Sequence, residues 1–67
     1  MLTIDAIETM FLGSDIFPVR TSATCVLATR NGVVLGTVKI VDGAIVIKGD
    51  GKRADANAKR ISKILGK

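Results

Sequence analysis

The sequence is 67 residues long and has no histidine, no tryptophan and no tyrosine, with only one cysteine, one proline and two phenylalanines. Without histidine there is no imidazole to act as a general base, to complete a Ser-His-Asp triad or to bind a metal. The six carboxylates are spread along the chain rather than paired as glycoside hydrolysis requires. These absences predict a protein that is not an enzyme and that uses no cofactor and no metal.

Cys25 is the only cysteine, so the chain cannot form an internal disulfide. Its position in an apolar run predicts a packing role in the core rather than an activated nucleophile. The sequence has neither a basic segment followed by an apolar stretch nor an apolar run long enough to span a bilayer. We therefore expect one small domain over residues 1–67 that is soluble, cytoplasmic and not associated with a membrane.

The net charge of +4 comes from the last third of the chain. Residues 1–47 contain four acidic and three basic residues, whereas residues 48–67 contain seven basic and two acidic residues. A basic segment of this kind favours an anionic partner, most often nucleic acid and less often a membrane surface or an acidic protein. A chain this short buries only about 60% of its unfolded surface, so self-association is also expected.

Residues 23–48 form three runs rich in aliphatic and β-branched side chains, separated by Asn31-Gly32 and Asp42-Gly43. These dipeptides favour two-residue type I′ turns, because such turns need positive φ at both positions. The three runs therefore predict a three-stranded antiparallel meander.

The two turns also predict the strand register, and directly opposed residues lie on the same face of a sheet. The predicted pairs are Arg30 with Val33, Ala28 with Leu35, Cys25 with Val38, Ile40 with Ile45, and Val38 with Ile47. The predicted core face carries Ala23, Cys25, Leu27, Val34, Val38, Ile40, Ile45 and Ile47. The predicted second face, aliphatic and basic together, carries Thr24, Val26, Arg30, Val33, Leu35, Thr37, Lys39, Val46 and Lys48.

A short helix is predicted over residues 4–12, before the meander. Thr3 is a suitable N-cap, and Gly13 is placed to end the helix. Asp5 and Glu8 lie near its positive end, so a structural role is sufficient to explain them. The apolar stripe that indicates the helix consists of Ile4, Ile7 and Phe11.

Residues 13–22 have no sustained periodicity and are predicted to be an extended connection. Ile16, Phe17 and Val19 form either a short edge strand or a segment that lies across the sheet. Pro18 is compatible only with an edge.

A second, amphipathic helix is predicted to follow Arg53 and to end near Leu65, packed on one face of the sheet. Its apolar side consists of Ala54, Ala58, Ile61, Ile64 and Leu65. Its basic side consists of Lys52, Arg53, Lys59, Arg60, Lys63 and Lys67. The predicted class is thus α+β, with a short N-terminal helix, the meander and this basic helix.

Gly49-Asp50-Gly51-Lys52 precedes the second helix and lacks the spacing of a nucleotide-binding phosphate loop. It is either a strand-to-helix turn in which Asp50 satisfies free amide groups or an anion site at the start of the helix. Lys52 and Arg53 oppose the helix dipole at that end, so stability alone does not explain them.

Residues 47–61, with this glycine-containing turn and a lysine-led, alanine-rich helix, resemble the double-stranded RNA-binding domain, as does the order of helix, meander and helix. The resemblance implies that Lys52 and Arg53 contact phosphates across a groove. It departs from the family at Ala56, where a further lysine is expected. It also departs at Asn31-Gly32, where the family has a longer loop that enters the minor groove.

Two functions are compatible with these features. The first is a small nucleic-acid-binding protein, non-catalytic and largely independent of base sequence, that contacts RNA or DNA duplex phosphates through Lys48, Lys52, Arg53, Lys59, Arg60 and Lys63. The lack of aromatic residues disfavours a single-strand stacking platform. The alternative is a homo-oligomeric structural or regulatory module, for instance a homodimer, that associates through Val26, Val33, Leu35 and Val46.

Overall fold

A computed structural model describes residues 2–66. Within that range the elements are α1 (Ile4–Met10), β1 (Phe17–Ser22), β2 (Cys25–Arg30), β3 (Val33–Val41), β4 (Ala44–Gly49) and α2 (Ala54–Ile64). The strands form one antiparallel sheet in the order β1-β2-β3-β4. The predicted α+β class is confirmed, but the predicted number of strands is wrong, because the sheet has four.

The additional strand is β1, which pairs with β2 at one edge of the sheet. Of the two paths considered for residues 13–22, the edge strand is therefore correct, and Pro18 lies on that edge as expected. Five of the six β1 residues are exposed, and Pro18 is half-buried. Because alternation reveals a strand only when one face is buried, the sequence pattern contained little sign of β1.

Both predicted hairpin turns are confirmed by their backbone angles. The φ values are 52° at Asn31 and 79° at Gly32, and 51° at Asp42 and 78° at Gly43. Positive φ at both central positions is the signature of the type I′ turn, whose twist matches that of the flanking strands.

A β-bulge at Leu35 makes the predicted register between β2 and β3 wrong beyond the turn. Arg30 pairs with Val33 as expected, but Leu35 has no partner on β2, and Ala28 pairs with Gly36 instead. An extra residue on one strand shifts all later pairs by one position. The predicted pairs in β3 and β4, such as Ile40 with Ile45, are confirmed.

The bulge exchanges the two faces of β2. Val26 and Ala28 are fully buried against the helices, whereas Cys25 and Leu27, predicted in the core, are half-buried on the opposite side. The helix-free side, called the open face below, is defined by the strand pairing. It carries Phe17, Val19, Cys25, Leu27, Thr29, Val34, Thr37, Lys39, Val41, Ala44, Val46 and Lys48. Ala23, also predicted in the core, is exposed in the turn between β1 and β2.

Both helices cover the same side of the sheet. The buried core consists of Ile4, Ile7, Phe11, Ile16, Val26, Ala28, Val38, Ile61 and Leu65. The predicted cap of α1 is confirmed, because Ala6 N donates to Thr3 Oγ1 at 3.2 Å. Arg20 of β1 donates from Nε to Glu8 Oε1 at 3.1 Å and also binds Asp5, so both acids of α1 anchor the edge strand.

Two paired glycines set the position of α2. Gly36 of β3 lies opposite Gly49 of β4. A Cβ atom at Gly49 would lie 1.8 Å from the carbonyl oxygen of Ala54, and one at Gly36 would lie 2.8 Å from Cδ1 of Ile61. The first turn of the basic helix can therefore approach the backbone of the sheet, and a side chain at Gly49 would prevent this. At Gly36 a Cβ atom would lie closest to the carbonyl oxygen of Lys48, at 2.4 Å.

Candidate nucleic-acid interface

A cleft of about 490 Å³ opens between the end of the β2–β3 hairpin and the start of α2. One wall is aliphatic and belongs to β3, and the rest is mainly polar and basic. The lining residues are Arg30, Val33, Val34, Leu35, Asp50, Gly51, Lys52, Arg53, Asn57 and Arg60. Four of these ten residues are cations, and they come from β2, the loop before α2 and α2 itself.

Two hydrogen bonds hold the loop that carries Lys52 in place. Asp50 N donates to the carbonyl of Leu35, the bulge residue, at 2.9 Å. Asn57 of α2 donates from Nδ2 to the carbonyl of Asp50 at 3.0 Å. The loop is therefore attached both to the sheet and to the helix, so the bulge positions one side of the cleft.

Asp15 connects two of the arginines at the cleft. Its Oδ2 lies 3.1 Å from Nε of Arg30 and accepts a hydrogen bond from Arg60. The hydrogen bond from Arg60 lowers the pKa of Asp15, and the nearby charges of Arg60 and Arg30 act in the same direction against partial desolvation. Asp15 thus orients two guanidinium groups that belong to different elements.

The start of α2 has no side-chain cap. Arg53 occupies the N-cap position with φ −110° and ψ 39°, and among the described residues no side chain accepts a capping hydrogen bond there. Asp50 was expected to satisfy the free amide groups at the start of α2, and its side chain does not do so. Asp50 instead contributes its carbonyl, which accepts a hydrogen bond from Asn57. Exposed Lys52 and Arg53 consequently lie at the positive end of a helix dipole.

The structure brings together most of the predicted basic residues, but not all of them. Lys59 and Lys63 are exposed on α2, on the same side of the sheet as the cleft. Lys48 pairs with Thr37 and alternates with half-buried Ile47, so it lies on the open face and is separated from the basic helix by the sheet. Lys67 lies outside the described residues.

Arg30 was not among the predicted binding residues. Arg30 directly precedes the Asn31-Gly32 turn, and this pattern predicts a hairpin but gives no indication of a phosphate site. Only the packing of the hairpin end beside α2 brings Arg30 to the cleft.

The four residues predicted to form an oligomer interface do not form one patch. Val26 is fully buried in the core, so its predicted place on an exposed face is wrong. Leu35 is half-buried at the bulge, and Val33 is 61% exposed but lines the cleft. Val46 is the member of this group that lies on the open face, where it is 46% exposed. The bulge separates these residues, because it exchanges the faces of β2.

In the part of the chain that the structure describes, no three His, Cys, Asp or Glu side chains are grouped to hold a metal ion. No helix in residues 2–66 is both long and apolar enough to cross a bilayer.

Comparisons with known proteins give no relative: no family model, no curated protein and no solved structure matches the chain. The resemblance to the double-stranded RNA-binding domain therefore stays a prediction, and the functional argument depends on the cleft.

Proposed function

We propose that the protein binds the phosphate backbone of duplex nucleic acid through the basic cleft and the exposed side of α2. The observation that carries the proposal is the convergence of Arg30, Lys52, Arg53 and Arg60 around one cleft. Cations that come from three separate segments are more specific evidence than a basic stripe on one helix, because a solvated helix face needs no such convergence.

The energetics of α2 favour an anion in this place. An exposed cation at the first turn of a helix opposes the dipole and costs roughly 0.3 to 1 kcal/mol. Lys52 and Arg53 both lie there, and Asp55 is the one acidic residue of the first turn, so the cations are only partly offset. A bound phosphate would make the electrostatic interaction at this end of α2 favourable, because it would interact with the cations and with the free amide groups of the first turn.

The ion pairs with Asp15 leave the two arginines able to bind a ligand. One carboxylate oxygen interacts with both Arg30 and Arg60. Each guanidinium has five N–H donors in a planar fork, so further donors remain for a phosphate oxygen. Because Asp15 holds both side chains, less conformational entropy is lost when a phosphate binds.

A duplex is the target that fits these groups. Phosphate contacts supply affinity and orientation without information about sequence. The sequence contains two phenylalanines and no other aromatic residue, so it offers few surfaces on which unpaired bases could stack. The resemblance of residues 47–61 to the double-stranded RNA-binding domain makes duplex RNA the first probe, and duplex DNA is the second.

The proposal is tested by measuring affinity for a duplex as a function of salt. Each neutralised phosphate releases counterions, so the logarithm of affinity should fall linearly with the logarithm of salt concentration. Replacing Lys52 and Arg53 together by glutamine should reduce the slope by about one unit for each lost contact. The matched control is the replacement of Lys39 and Lys48 by glutamine, which removes the same charge from the open face and should have a much smaller effect.

Two results would contradict the proposal. One is the absence of measurable duplex affinity near physiological salt. The other is an equal loss of affinity in both double variants, because that would indicate a response to net charge alone. Thermal unfolding serves as the check on folding: the variant without Lys52 and Arg53 should melt at the same temperature as the parent or slightly higher, since two cations leave the positive end of α2.

A further inference from the structure

The two edges of the sheet differ in how well they are protected from pairing with another strand. The β1 edge contains Pro18, which has no N–H to donate, and a register irregularity between Arg20 and Ser22. The β4 edge has no proline, its pairing with β3 is regular throughout, and Lys48 is its one charged residue. Strand β4 therefore lacks most of the features that prevent edge-to-edge association.

The Asp42-Gly43 turn determines which backbone groups of β4 point outward. In a two-residue turn the N–H of Ala44 donates to the carbonyl of Val41, so the groups of Ala44 point toward β3. Alternation along the strand then leaves the N–H and C=O groups of Ile45 and Ile47 pointing away from β3. Consistently, the opposite residue Ile40 donates to Thr24 at 2.8 Å rather than to β4.

We propose that a second copy of this chain covers the β4 edge, with the two β4 strands antiparallel around a two-fold axis at Val46. Ile45 then lies opposite Ile47 of the partner subunit, and the outward groups of each such pair exchange two hydrogen bonds. Two four-stranded sheets become one sheet of eight strands.

The side chains of β4 fit this register. Val46 lies opposite its own copy on the open face, and Lys48 lies opposite Ala44 of the partner subunit, so no like charges are directly opposed. The half-buried side chains of Ile45 and Ile47, which pack against the core, meet across the axis and extend the apolar layer beneath the helices. This register also leaves Gly49 free to remain against Ala54.

The symmetry has a consequence for the cleft. A two-fold axis between antiparallel edge strands runs perpendicular to the sheet, so both copies present the same face in the same direction. Both α2 helices and both clefts would therefore lie on one side of the dimer, where one duplex could contact them together. This consequence rests on the proposed function, whereas the pairing of β4 strands does not.

The test measures mass in solution by sedimentation, without nucleic acid, for charge variants at two valines of nearly equal exposure. Val46 is 46% exposed on the edge strand, and Val41 is 47% exposed on the interior strand β3, both on the open face. Val46→Lys and Val46→Glu should each raise the dissociation constant about fivefold or more, because like charges meet at the axis. An equal mixture of the two variants should restore the dimer, and Val41→Lys should associate as the parent does.

A second measurement needs no variant. Amide hydrogen exchange at Ile45 and Ile47 should slow as the protein concentration rises, because these N–H groups become hydrogen-bonded in the dimer.

A parent protein that sediments as a monomer even at the highest soluble concentration would overturn the proposal. Equal dissociation by Val41→Lys and Val46→Lys would also overturn it, because that result places the contact on the open face instead of the edge. Because the measurements contain no nucleic acid, their failure leaves the proposed function untouched, and a failure of duplex binding leaves the edge pairing untouched.

Discussion

Asp15 is an exposed residue that connects parts of the chain which are distant in sequence. Its carboxylate interacts with Arg30 from β2 and with Arg60 from α2. In water such a pair stabilises a fold only weakly, because solvent screens the charges and the long side chains lose entropy. The geometric effect is larger than the energetic one: the carboxylate keeps two guanidinium groups at the mouth of the cleft.

The first residue-scale prediction concerns the pKa of Asp15. A titration followed by NMR should give a pKa below that of an ordinary aspartate, because Arg60 donates a hydrogen bond to the charged form. Arg60→Gln should raise the pKa toward its ordinary value, and Arg20→Gln, which removes an arginine that binds Asp5 and Glu8 instead, should leave it unchanged. An Asp15 pKa that does not respond to Arg60→Gln would show that the contact is absent in solution.

The sign of the associated pH dependence follows from the same shift. The pKa of Asp15 is lower in the folded protein than in the unfolded chain. The charged carboxylate therefore stabilises the fold in full at pH values above the pKa of the unfolded chain. That contribution is lost as the pH falls through the folded pKa, below about pH 4. Near neutral pH the Asp15 contribution is constant.

At the scale of elements, the bulge in β3 has the largest effect on the architecture. Leu35 is the extra residue, and the loop before α2 binds its carbonyl through Asp50 N. The bulge therefore both exchanges the faces of β2 and attaches the loop that carries Lys52. A regular β2–β3 hairpin would place Cys25 and Leu27 in the core and Val26 outside it.

Alanine substitutions at adjacent β2 positions test this assignment. Val26 is fully buried, so Val26→Ala should lower the free energy of unfolding by about 1 to 3 kcal/mol through lost burial and an unfilled space. Leu27 is half-buried on the open face, so Leu27→Ala should cost less although it removes more atoms. Denaturant unfolding measures both changes. A greater loss of unfolding free energy for Leu27→Ala than for Val26→Ala would contradict the bulge and support the regular register.

At the scale of the whole molecule, the two sides of the sheet differ. The helices and the buried core cover one side, and within residues 2–66 the other side carries no helix. That open face carries several exposed apolar side chains, among them Phe17 at 71% exposure, together with Lys39 and Lys48. Pairing of two β4 edges would leave this face in solvent, whereas packing of two open faces would cover it.

Cys25 offers a direct measurement of the open face. It is a half-buried free thiol on this side of the sheet, so we expect it to react with a thiol reagent in the folded state, faster than the protein unfolds. Its rate should be independent of protein concentration if dimers form through β4. As a buried reference, Ala28→Cys in a Cys25→Ser background should react only through unfolding, because Ala28 is fully buried. A Cys25 rate that falls with rising protein concentration would instead indicate open faces packed together.

Features that depend on neighbours in sequence could be predicted from the sequence alone. Asn31-Gly32 and Asp42-Gly43 adopt positive φ because Asn, Asp and Gly tolerate it better than other residues do. Thr3 caps α1 by accepting a hydrogen bond from the backbone three residues further along the chain. The periodicity of α2 likewise predicted the buried Ile61 and the exposed bases Lys59, Arg60 and Lys63. In each case the determining interaction lies within one turn or one helix face.

Only the tertiary structure decided the pairing of distant segments. The bulge depends on contacts that periodicity cannot report: Gly36 lies under Ile61, and Leu35 accepts a hydrogen bond from Asp50. Strand β1 has little alternation because most of it is exposed, so its pairing with β2 had no strong pattern to predict it. Asp15 binds both Arg30 and Arg60, the latter 45 residues away in sequence, so the cleft exists only once the sheet has brought the hairpin beside α2.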